Sequence, residues 1–229
     1  MEHLAGAIAH ELRQPLSVIQ NIASYLRATI PSRNGTVLKQ LKTLEQQTAM
    51  AGEVLSSMLE FARSGKPTIA PTDLHAVLKN VLNRASLGPV RGRSRSSSPS
   101  SRLRLKRSLA RLLPPVLADP VHVDRILSNL IANGVESMEG MEKRAARRIL
   151  SVATKAEGRQ VVVRVADTGC GISPAQASRV FDPFFTTKQT GTGLGLALCR
   201  RMAEANGGSI GFQSRPGKGT TFELRLPKA

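Results

Sequence analysis

The sequence predicts an α+β fold in which an antiparallel helical hairpin is followed by a larger domain of strands and helices. Two observations predict the hairpin: apolar residues recur in alternating steps of four and three along two stretches, and a breaker at 31–35 separates them. A third observation predicts the mixed domain, because a β-branched run at 161–166 lies between stretches with helical apolar spacing. The length of 229 residues leaves room for one or two domains.

The first helix of the predicted hairpin carries a regular apolar seam. Its members follow each other by four or three residues: Ile8, Leu12, Pro15, Ile19, Ile22 and Leu26. His10 stands two residues from both Ile8 and Leu12, so at about 100° per residue it should point away from the seam, towards solvent. Taken alone, such a histidine is an ordinary surface residue, although a neutral imidazole is also a competent nucleophile. Pro15 removes a helical hydrogen bond and is expected to bend the helix.

The second helix continues the same alternation after the breaker. Its seam consists of Leu41, Leu44, Thr48, Ala51, Leu55, Met58 and Ala62. Two helices joined by a short loop form an antiparallel hairpin, and one hairpin cannot bury both of its faces. We therefore predict a homodimer in which two hairpins form a four-helix bundle.

A carboxylate and two glycines follow the β-branched run. Asp167 stands where the predicted strand ends, and Gly169 and Gly171 follow within the same turn. A carboxylate held there can accept a hydrogen bond from an exocyclic amine such as that of adenine, and the glycines allow the backbone to approach a flat ring closely. By itself the segment is equally well an ordinary glycine turn.

Two asparagines, Asn129 and Asn133, lie four residues apart in a stretch with helical apolar spacing, so their side chains should share one helix face. Mg²⁺ prefers hard oxygen ligands, and an asparagine oxygen ligates it without adding negative charge beside phosphates. The alternative is a pair of polar residues on a solvated face. The neighbouring glycine motifs favour the metal-binding interpretation.

A second glycine loop, with Gly191, Gly193 and Gly195, stands where another helical stretch begins. Free N–H groups at a helix start bind phosphate, and glycine permits close approach. Leu196 stands where the dinucleotide-binding fingerprint needs its third glycine, and no Gly-Lys-Ser/Thr run follows a glycine loop, which excludes a P-loop ATPase. The polar residues 186–190 are predicted to form a mobile lid.

In this order, the motifs Asn129–Asn133, Asp167–Ile172 and Gly191–Leu196 resemble the ATP-binding domain of the family that contains histidine kinases, gyrase-type ATPases, Hsp90 and MutL. The run Phe181–Lys188 narrows the resemblance to sensor histidine kinases. Residues 9–16 resemble the phosphoacceptor box of these kinases. The resemblance implies an α/β sandwich with a mixed sheet that binds Mg-ATP. It further implies autophosphorylation of a histidine and transfer of the phosphoryl group to an aspartate on a response-regulator receiver domain.

The resemblance also gives individual residues expected roles. His10 would be the phosphoacceptor, Glu11 would take its proton or fix its tautomer, and Gln14 would orient the water that dephosphorylates the regulator. The expected ATP-binding residues are Asn129, Asn133, Asp167, Gly169, Gly171, Lys188, Gly191, Gly193, Gly195, Leu196 and Thr221, and Asn133 and Asn129 would hold Mg²⁺. The lid and residues 61–63 resemble the corresponding segments of one branch of the sensor histidine kinases, the nitrogen-regulation and dicarboxylate-sensing branch.

The predicted boundary divides residues 1–65, the dimerisation and phosphoacceptor hairpin, from residues 66–229, the ATP-binding domain. The net charge is +17, and a basic Arg/Ser-rich segment at about 91–107 is predicted to be of low complexity, which leaves the pairing of one expected strand open. Basic runs can bind nucleic acid, but only 3% of residues are aromatic, so no nucleic-acid partner is expected.

Cys170 and Cys199 lack metal-ligand spacing and indicate a reducing compartment. No apolar run approaches a membrane span and no signal peptide precedes His10, so we expect a cytoplasmic chain. Its input would come from a separate sensor protein or from further parts of a membrane-attached sensor.

Two alternative functions remain. The first is a catalytically silent regulatory or scaffold module of the same fold, which binds nucleotide without phosphorylating itself. The second is an ATP-driven clamp of the gyrase or MutL type. The clamp is disfavoured because those enzymes usually have a water-activating carboxylate where Asn129 stands.

Overall fold

The computed structural model describes residues 2–30, 35–62, 66–85, 103–139, 148–188 and 191–229. The helices are α1 (Glu2–Thr29), α2 (Gly35–Ala62), α3 (Leu74–Arg84), α4 (Pro120–Glu136), α5 (Pro174–Ala177) and α6 (Gly195–Ala205). The strands are β1 (Ala70–Thr72), β2 (Arg104–Ser108), β3 (Val116–Ala118), β4 (Ile149–Glu157), β5 (Gln160–Asp167), β6 (Ser209–Arg215) and β7 (Gly219–Pro227). The chain forms two compact units: Met1–Gly65 with Phe184–Gly195, and Lys66–Pro183 with Leu196–Ala229.

The first unit contains the helical hairpin. Helix α1 continues through Pro15 and packs against α2. Glu45 of α2 joins the two helices, because one of its carboxylate oxygens accepts hydrogen bonds from Ser24 Oγ at 2.8 Å and from Arg27 Nε at 3.0 Å. Neither of these helices, nor any other within the described ranges, is both long and apolar enough to cross a bilayer.

The predicted apolar seam of α1 is not the surface that meets α2. Leu12 is 46% exposed and Ile22 is 54% exposed, whereas Ala23 is fully buried. Leu16 and Ile30, each seven residues from Ala23, are more covered than the seam, so a separate strip of α1 faces α2. The hairpin therefore leaves an apolar surface uncovered in the single chain.

The second unit contains a five-stranded sheet of order β2-β4-β5-β7-β6. Its strands are antiparallel to their neighbours except β2, which runs parallel to β4, so the sheet is mixed. Strands β1 and β3 form a separate antiparallel pair. Helix α4 packs on β4 and β5 and also contacts α3. This arrangement confirms the predicted α+β class, a helical hairpin followed by an α/β sandwich.

Two aspartates begin the helices of this sandwich. The Asp73 carboxylate accepts hydrogen bonds from the first free N–H groups of α3. The Asp119 carboxylate does the same for Val121 at the start of α4, where Pro120 occupies the first helical position. Asp119 also accepts a hydrogen bond from Thr68 N at 2.9 Å, which attaches the segment before β1 to α4.

The basic segment predicted for residues 91–107 ends in a regular strand. Residues 104–107 belong to β2, which pairs with β4 from Arg104 opposite Ile149 to Ser108 opposite Ala153. The strand pairing that the sequence left open is thus formed. Basic side chains suit an edge strand, because they discourage edge-to-edge association. Residues 91–102 lie outside the described residues.

Candidate nucleotide-binding site

The buried carboxyl of Asp167 is the centre of the candidate site. Asp167 ends β5 and is only 8% exposed. Its Oδ1 accepts hydrogen bonds from the N–H of Gly169 at 2.7 Å and of Thr220 at 3.3 Å. Burial raises the pKa of the Asp167 carboxyl, and hydrogen bonds from Gly169, Ser137 and Thr220 act in the opposite direction. The carboxyl is therefore held in one orientation by three neighbours.

Three glycines shape the backbone around this carboxyl. A Cβ atom on Gly169 would overlap the Ser137 hydroxyl, and one on Gly219 would overlap the carbonyl of Asp167. Gly171 has a φ of +70°, and a Cβ there would overlap the end of β6. Gly219 also has a positive φ, of +99°. A side chain at Gly171 or Gly219 would strain the backbone, and one at Gly169 or Gly219 would overlap atoms of Asp167 or its neighbour Ser137.

Helix α4 approaches Asp167 through another glycine. Gly134 is buried, and a Cβ there would lie 2.8 Å from the Leu150 side chain and 3.5 Å from the Cβ of Asp167. In the sequence, Gly134 indicates only a small loss of helix propensity. The structure supplies its role, because the missing side chain lets α4 lie close against the end of β5.

Asn129 and Asn133 lie one turn apart on α4, as the sequence predicted, and both are half-buried. The Asn129 side chain hydrogen-bonds the thiol of Cys199 on α6. Burial raises the pKa of Cys199 to about 12, against the effect of that hydrogen bond, so the residue is a neutral thiol. The described residues contain no group of three or more His, Cys, Asp and Glu side chains that could hold a metal ion.

Thr220 contacts Asp167, and it immediately precedes Thr221, the residue of β7 that was predicted to bind ATP. The Thr220 N–H donates to the carboxyl, and its side chain is buried. Thr221 is paired with Ala166, one residue away from Asp167. Because side chains alternate along a strand, Thr221 and Ala166 face the opposite side of the sheet from Asp167. An ATP-binding role for Thr221 stays a prediction.

The predicted lid and the glycine loop up to Gly195 belong to the first compact unit. Phe184 has an unusual φ of +66° for a residue other than glycine. A Cβ on Gly193, which has a φ of +68°, would overlap the backbone of Phe184 and Phe185, so the two ends of the segment touch there. Lys188 is exposed, and its N–H donates to Thr186 Oγ1 at 3.1 Å.

Gly191, Gly195 and Leu196 are the remaining residues predicted for this loop. Gly191 lies against Thr186, and Gly195 and Leu196 form the start of α6. Gln189 and Thr190 of the predicted lid lie outside the described residues.

His10, Glu11 and Gln14 all lie on α1, and their side chains lie outside the described part of the chain. The structure thus gathers Asp167, Gly169 and Gly171 at one turn, and it places the asparagine pair on the adjoining helix α4. Their joint role with the glycine loop stays a prediction.

Three residues of the site were missed by reasoning from sequence: Ser137, Cys199 and Thr220. Thr220 had a local signal, because it follows Gly219 at the start of the apolar alternation of β7. Ser137 and Cys199 had none, since their partners are 30 and 70 residues away in the chain.

Two family models match the chain. The His Kinase A (phospho-acceptor) domain matches residues 1–67. The histidine kinase-, DNA gyrase B-, and HSP90-like ATPase matches residues 118–229. Together the two matches include the first helix of the hairpin, the asparagine pair and the turn at Asp167.

Curated relatives match along almost the whole chain. The Sensor histidine kinase ZraS of Escherichia coli (strain K12) is 31% identical over 98% of this chain and 45% of that protein. The C4-dicarboxylate transport sensor protein DctS of Rhodobacter capsulatus is 35% identical over 98% of this chain and 33% of that protein. The chain thus spans less than half the length of these relatives.

Solved structures agree with the fold. Full-length ShkA in complex with AMPPNP matches with a TM-score of 0.75 and 25% identity, over 100% of this chain and 46% of that one. The Acinetobacter baumannii histidine kinase AdeS matches with a TM-score of 0.59 and 20% identity, over 96% of this chain and 98% of that one. With the two family matches and the geometry around Asp167, these similarities show that the chain belongs to the sensor histidine kinase family.

Proposed function

We propose that this chain is the catalytic core of an ATP-dependent protein-histidine kinase of two-component signal transduction. It phosphorylates its own His10 and passes the phosphoryl group to an aspartate on the receiver domain of a response regulator. The observation that carries this proposal is the glycine-lined, buried carboxyl of Asp167 in a chain whose first helix matches a phosphoacceptor domain. The signal reaches this core from a sensor domain or a separate sensor protein.

The nucleotide is ATP, and the residues around Asp167 fit its adenine. The carboxylate accepts a hydrogen bond from the exocyclic amine, and the missing side chains of Gly169 and Gly171 let the turn that follows it pack closely against Ser137 and the end of β6. Asn129 and Asn133 would hold Mg²⁺ through amide oxygens, and the ion would offset phosphate charge when bound. A family member of similar fold, ShkA, was solved with AMPPNP, an ATP analogue, which supports this assignment.

The reaction needs a nucleophile and an acceptor for its proton. A neutral ring nitrogen of His10 attacks the γ-phosphorus of ATP, a nitrogen–phosphorus bond forms, and the bond to the bridging oxygen breaks with release of ADP. Glu11, the next residue on α1, accepts the ring proton or holds the tautomer. Because His10 and Asp167 belong to different parts of the chain, binding and transfer can be disturbed separately.

One labelling experiment tests the function. The chain is incubated with γ-labelled ATP and Mg²⁺, and the label on the protein is then tested in acid and in alkali. Phosphohistidine is lost in acid and kept in alkali, and this is the expected result. Nucleotide binding without any such label would instead indicate a catalytically silent nucleotide-binding module.

Glu11 and Gln14, which lie close to His10 in the sequence, should serve two different activities: autophosphorylation and dephosphorylation of the regulator. Glu11→Gln is expected to slow autophosphorylation by about a hundredfold or more, the scale for losing a general base. Gln14 lies four residues from His10, on the same face of α1, and its amide can orient water. Gln14→Ala should therefore spare autophosphorylation and reduce only phosphatase activity towards the regulator.

Both activities are measured in both variants, with label on the kinase and loss of label from a purified phosphorylated regulator as the two readouts. Equal loss of autophosphorylation in Gln14→Ala and Glu11→Gln would refute this division of roles.

We infer that the chain acts as a homodimer, because the seam of α1 is apolar and uncovered in the single chain. Ile22→Glu is expected to convert a dimer into a monomer, since it would bury a carboxylate within the four-helix interface. The molar mass in solution is measured by light scattering at several protein concentrations.

Ala28→Glu is the matched control for this substitution. Ala28 is exposed on the same helix, about half a turn away from the seam. Identical masses for Ile22→Glu and the unmodified chain would exclude this seam as the dimer contact.

A further inference from the structure

One border of the five-stranded sheet is a basic surface. The outermost strand β2 and the segment that follows it, residues 104–112, form this surface, which we call the β2 edge. Four cationic side chains are exposed along it: Arg104, Lys106, Arg107 and Arg111. The sequence has no acidic residue between Asp73 and Asp119, so the β2 edge carries no carboxylate of its own.

The cations of the β2 edge differ from those in the middle of the same sheet. Arg164 of β5 forms ion pairs with Glu157 at 3.9 Å and with Glu223 at 2.6 Å. Within the described part of the chain, by contrast, the side chains of Arg104 and Lys106 form no ion pair or hydrogen bond. Because no neighbouring carboxylate offsets their charge, these two side chains can meet an anion from outside the chain.

Two leucines are exposed on the same segment, Leu109 by 39% and Leu112 by 90%. The backbone between them is anchored, because the N–H of Ala110 donates to the hydroxyl of Thr154 on β4 at 3.0 Å. Ala110 is half-buried, whereas Arg111 beside it is exposed. A single exposed leucine is common on protein surfaces. Here, however, exposed leucines and exposed cations occur together in one short segment.

This combination of side chains favours one class of anionic partner. The interface of a lipid bilayer accepts both kinds, because basic groups meet anionic headgroups while apolar groups enter the boundary of the acyl chains. Long lysine and arginine stems let the charges stay among the headgroups at the same time. A nucleic acid offers phosphates to the cations but no apolar surroundings for Leu112. A protein partner would need a matching pocket for this leucine, and a bilayer needs none.

We propose that the β2 edge is a docking surface for a membrane that contains anionic phospholipids. Arg104, Lys106 and Arg111 contact the headgroups, and Leu112 inserts below them. None of these residues belongs to the proposed nucleotide site. Docking is therefore independent of the proposed kinase activity, and it can be tested without nucleotide.

The experiment measures binding of the full chain to lipid vesicles by co-sedimentation. Vesicles of phosphatidylcholine with phosphatidylglycerol are compared with vesicles of phosphatidylcholine alone. We expect binding to the anionic vesicles only, and weaker binding in added salt because ions screen exposed charges. The double substitution Arg104→Glu and Lys106→Glu should weaken binding by about thirtyfold or more, since each basic residue near such a surface contributes about fivefold in affinity.

Leu112→Ser tests the apolar part of the surface. It should weaken binding by about tenfold, because serine does not gain from leaving water. Leu112→Phe keeps an apolar side chain and should bind at least as tightly as the unmodified chain. Since the side chain of Leu112 is almost fully exposed, both replacements leave the packing of the sheet unchanged. They therefore remain informative if thermal melting shows that the double substitution does not fold.

The double substitution Arg215→Glu and Lys218→Glu is the matched control. Both residues are exposed, and they lie on β6 and on the turn that follows it, at the opposite border of the sheet. This control lowers the net charge by the same amount as the double substitution on the β2 edge. It should bind the anionic vesicles like the unmodified chain.

Losses of binding in the β2-edge variants, with none in the control, support the proposal. Equal losses in the control would indicate a general attraction of a basic protein and overturn it, as would the absence of binding to anionic vesicles. Binding to duplex DNA that requires Arg104 and Lys106 but not Leu112, without corresponding losses on vesicles, would identify a nucleic acid as the partner instead.

Discussion

His10→Gln is expected to abolish acid-labile labelling by γ-labelled ATP while leaving ATP affinity nearly unchanged. Glutamine resembles histidine in polarity and reach, but its amide has no nucleophilic ring nitrogen. The nucleotide residues around Asp167 lie in the other compact unit, so their hydrogen bonds do not depend on residue 10. Label is measured on the purified chain, and ATP affinity is measured by calorimetry on the same preparation.

His3→Gln is the matched control, because it makes the same replacement on the same helix and outside the phosphoacceptor box. It should label like the unmodified chain. Acid-labile label that persists in His10→Gln would move the acceptor to another histidine.

Asp167→Asn is expected to weaken ATP binding by roughly ten- to a hundredfold, the equivalent of losing about 1.5–3 kcal/mol from a hydrogen bond to a charged group. The hydrogen bonds of Asp167 indicate how the amide of the substituted asparagine would be oriented. Its oxygen would stay with the N–H groups of Gly169 and Thr220, so its NH₂ group would meet the amine of adenine, donor against donor. Calorimetry with Mg-ATP gives the affinity, and thermal melting separates lost binding from lost folding.

Asp124→Asn provides the comparison for this change. Asp124 lies on α4 and forms an ion pair with Arg84 at 2.6 Å, so its replacement removes the same charge from the same unit. Exposed ion pairs contribute little, about 0–1 kcal/mol, and its ATP affinity should match that of the unmodified chain. An unaltered affinity in Asp167→Asn would contradict the site.

The hairpin shows what the apolar periodicity of a sequence can predict and what it cannot. Steps of four and three residues predicted both helices of the hairpin, and α1 and α2 confirm them. The same pattern did not show that Ala23 would be buried against α2 while Ile22 stayed exposed. An apolar stripe shows which residues avoid water, but it does not show which partner covers them.

The sheet shows a similar division. The β-branched run predicted β5, and the position of Asp167 at its end follows from strand length and the glycine turn. The pairing of β2 could not be predicted, because a basic, irregular stretch has no alternation of its own. Strand β2 is held in place by its pairing with β4, and the paired residues are far apart in the chain.

The sequence by itself determined the fold class, the helical hairpin, and the positions of Asp167, Gly169 and Gly171, because these depend on spacing, propensity and local backbone freedom. Only the tertiary structure decided that Thr220 rather than Thr221 meets the carboxyl, since strand register sets which residue faces which side. It alone placed Ser137 on Asp167 and Asn129 on Cys199. Such contacts join residues that are far apart in the chain, and the types of the residues do not specify them.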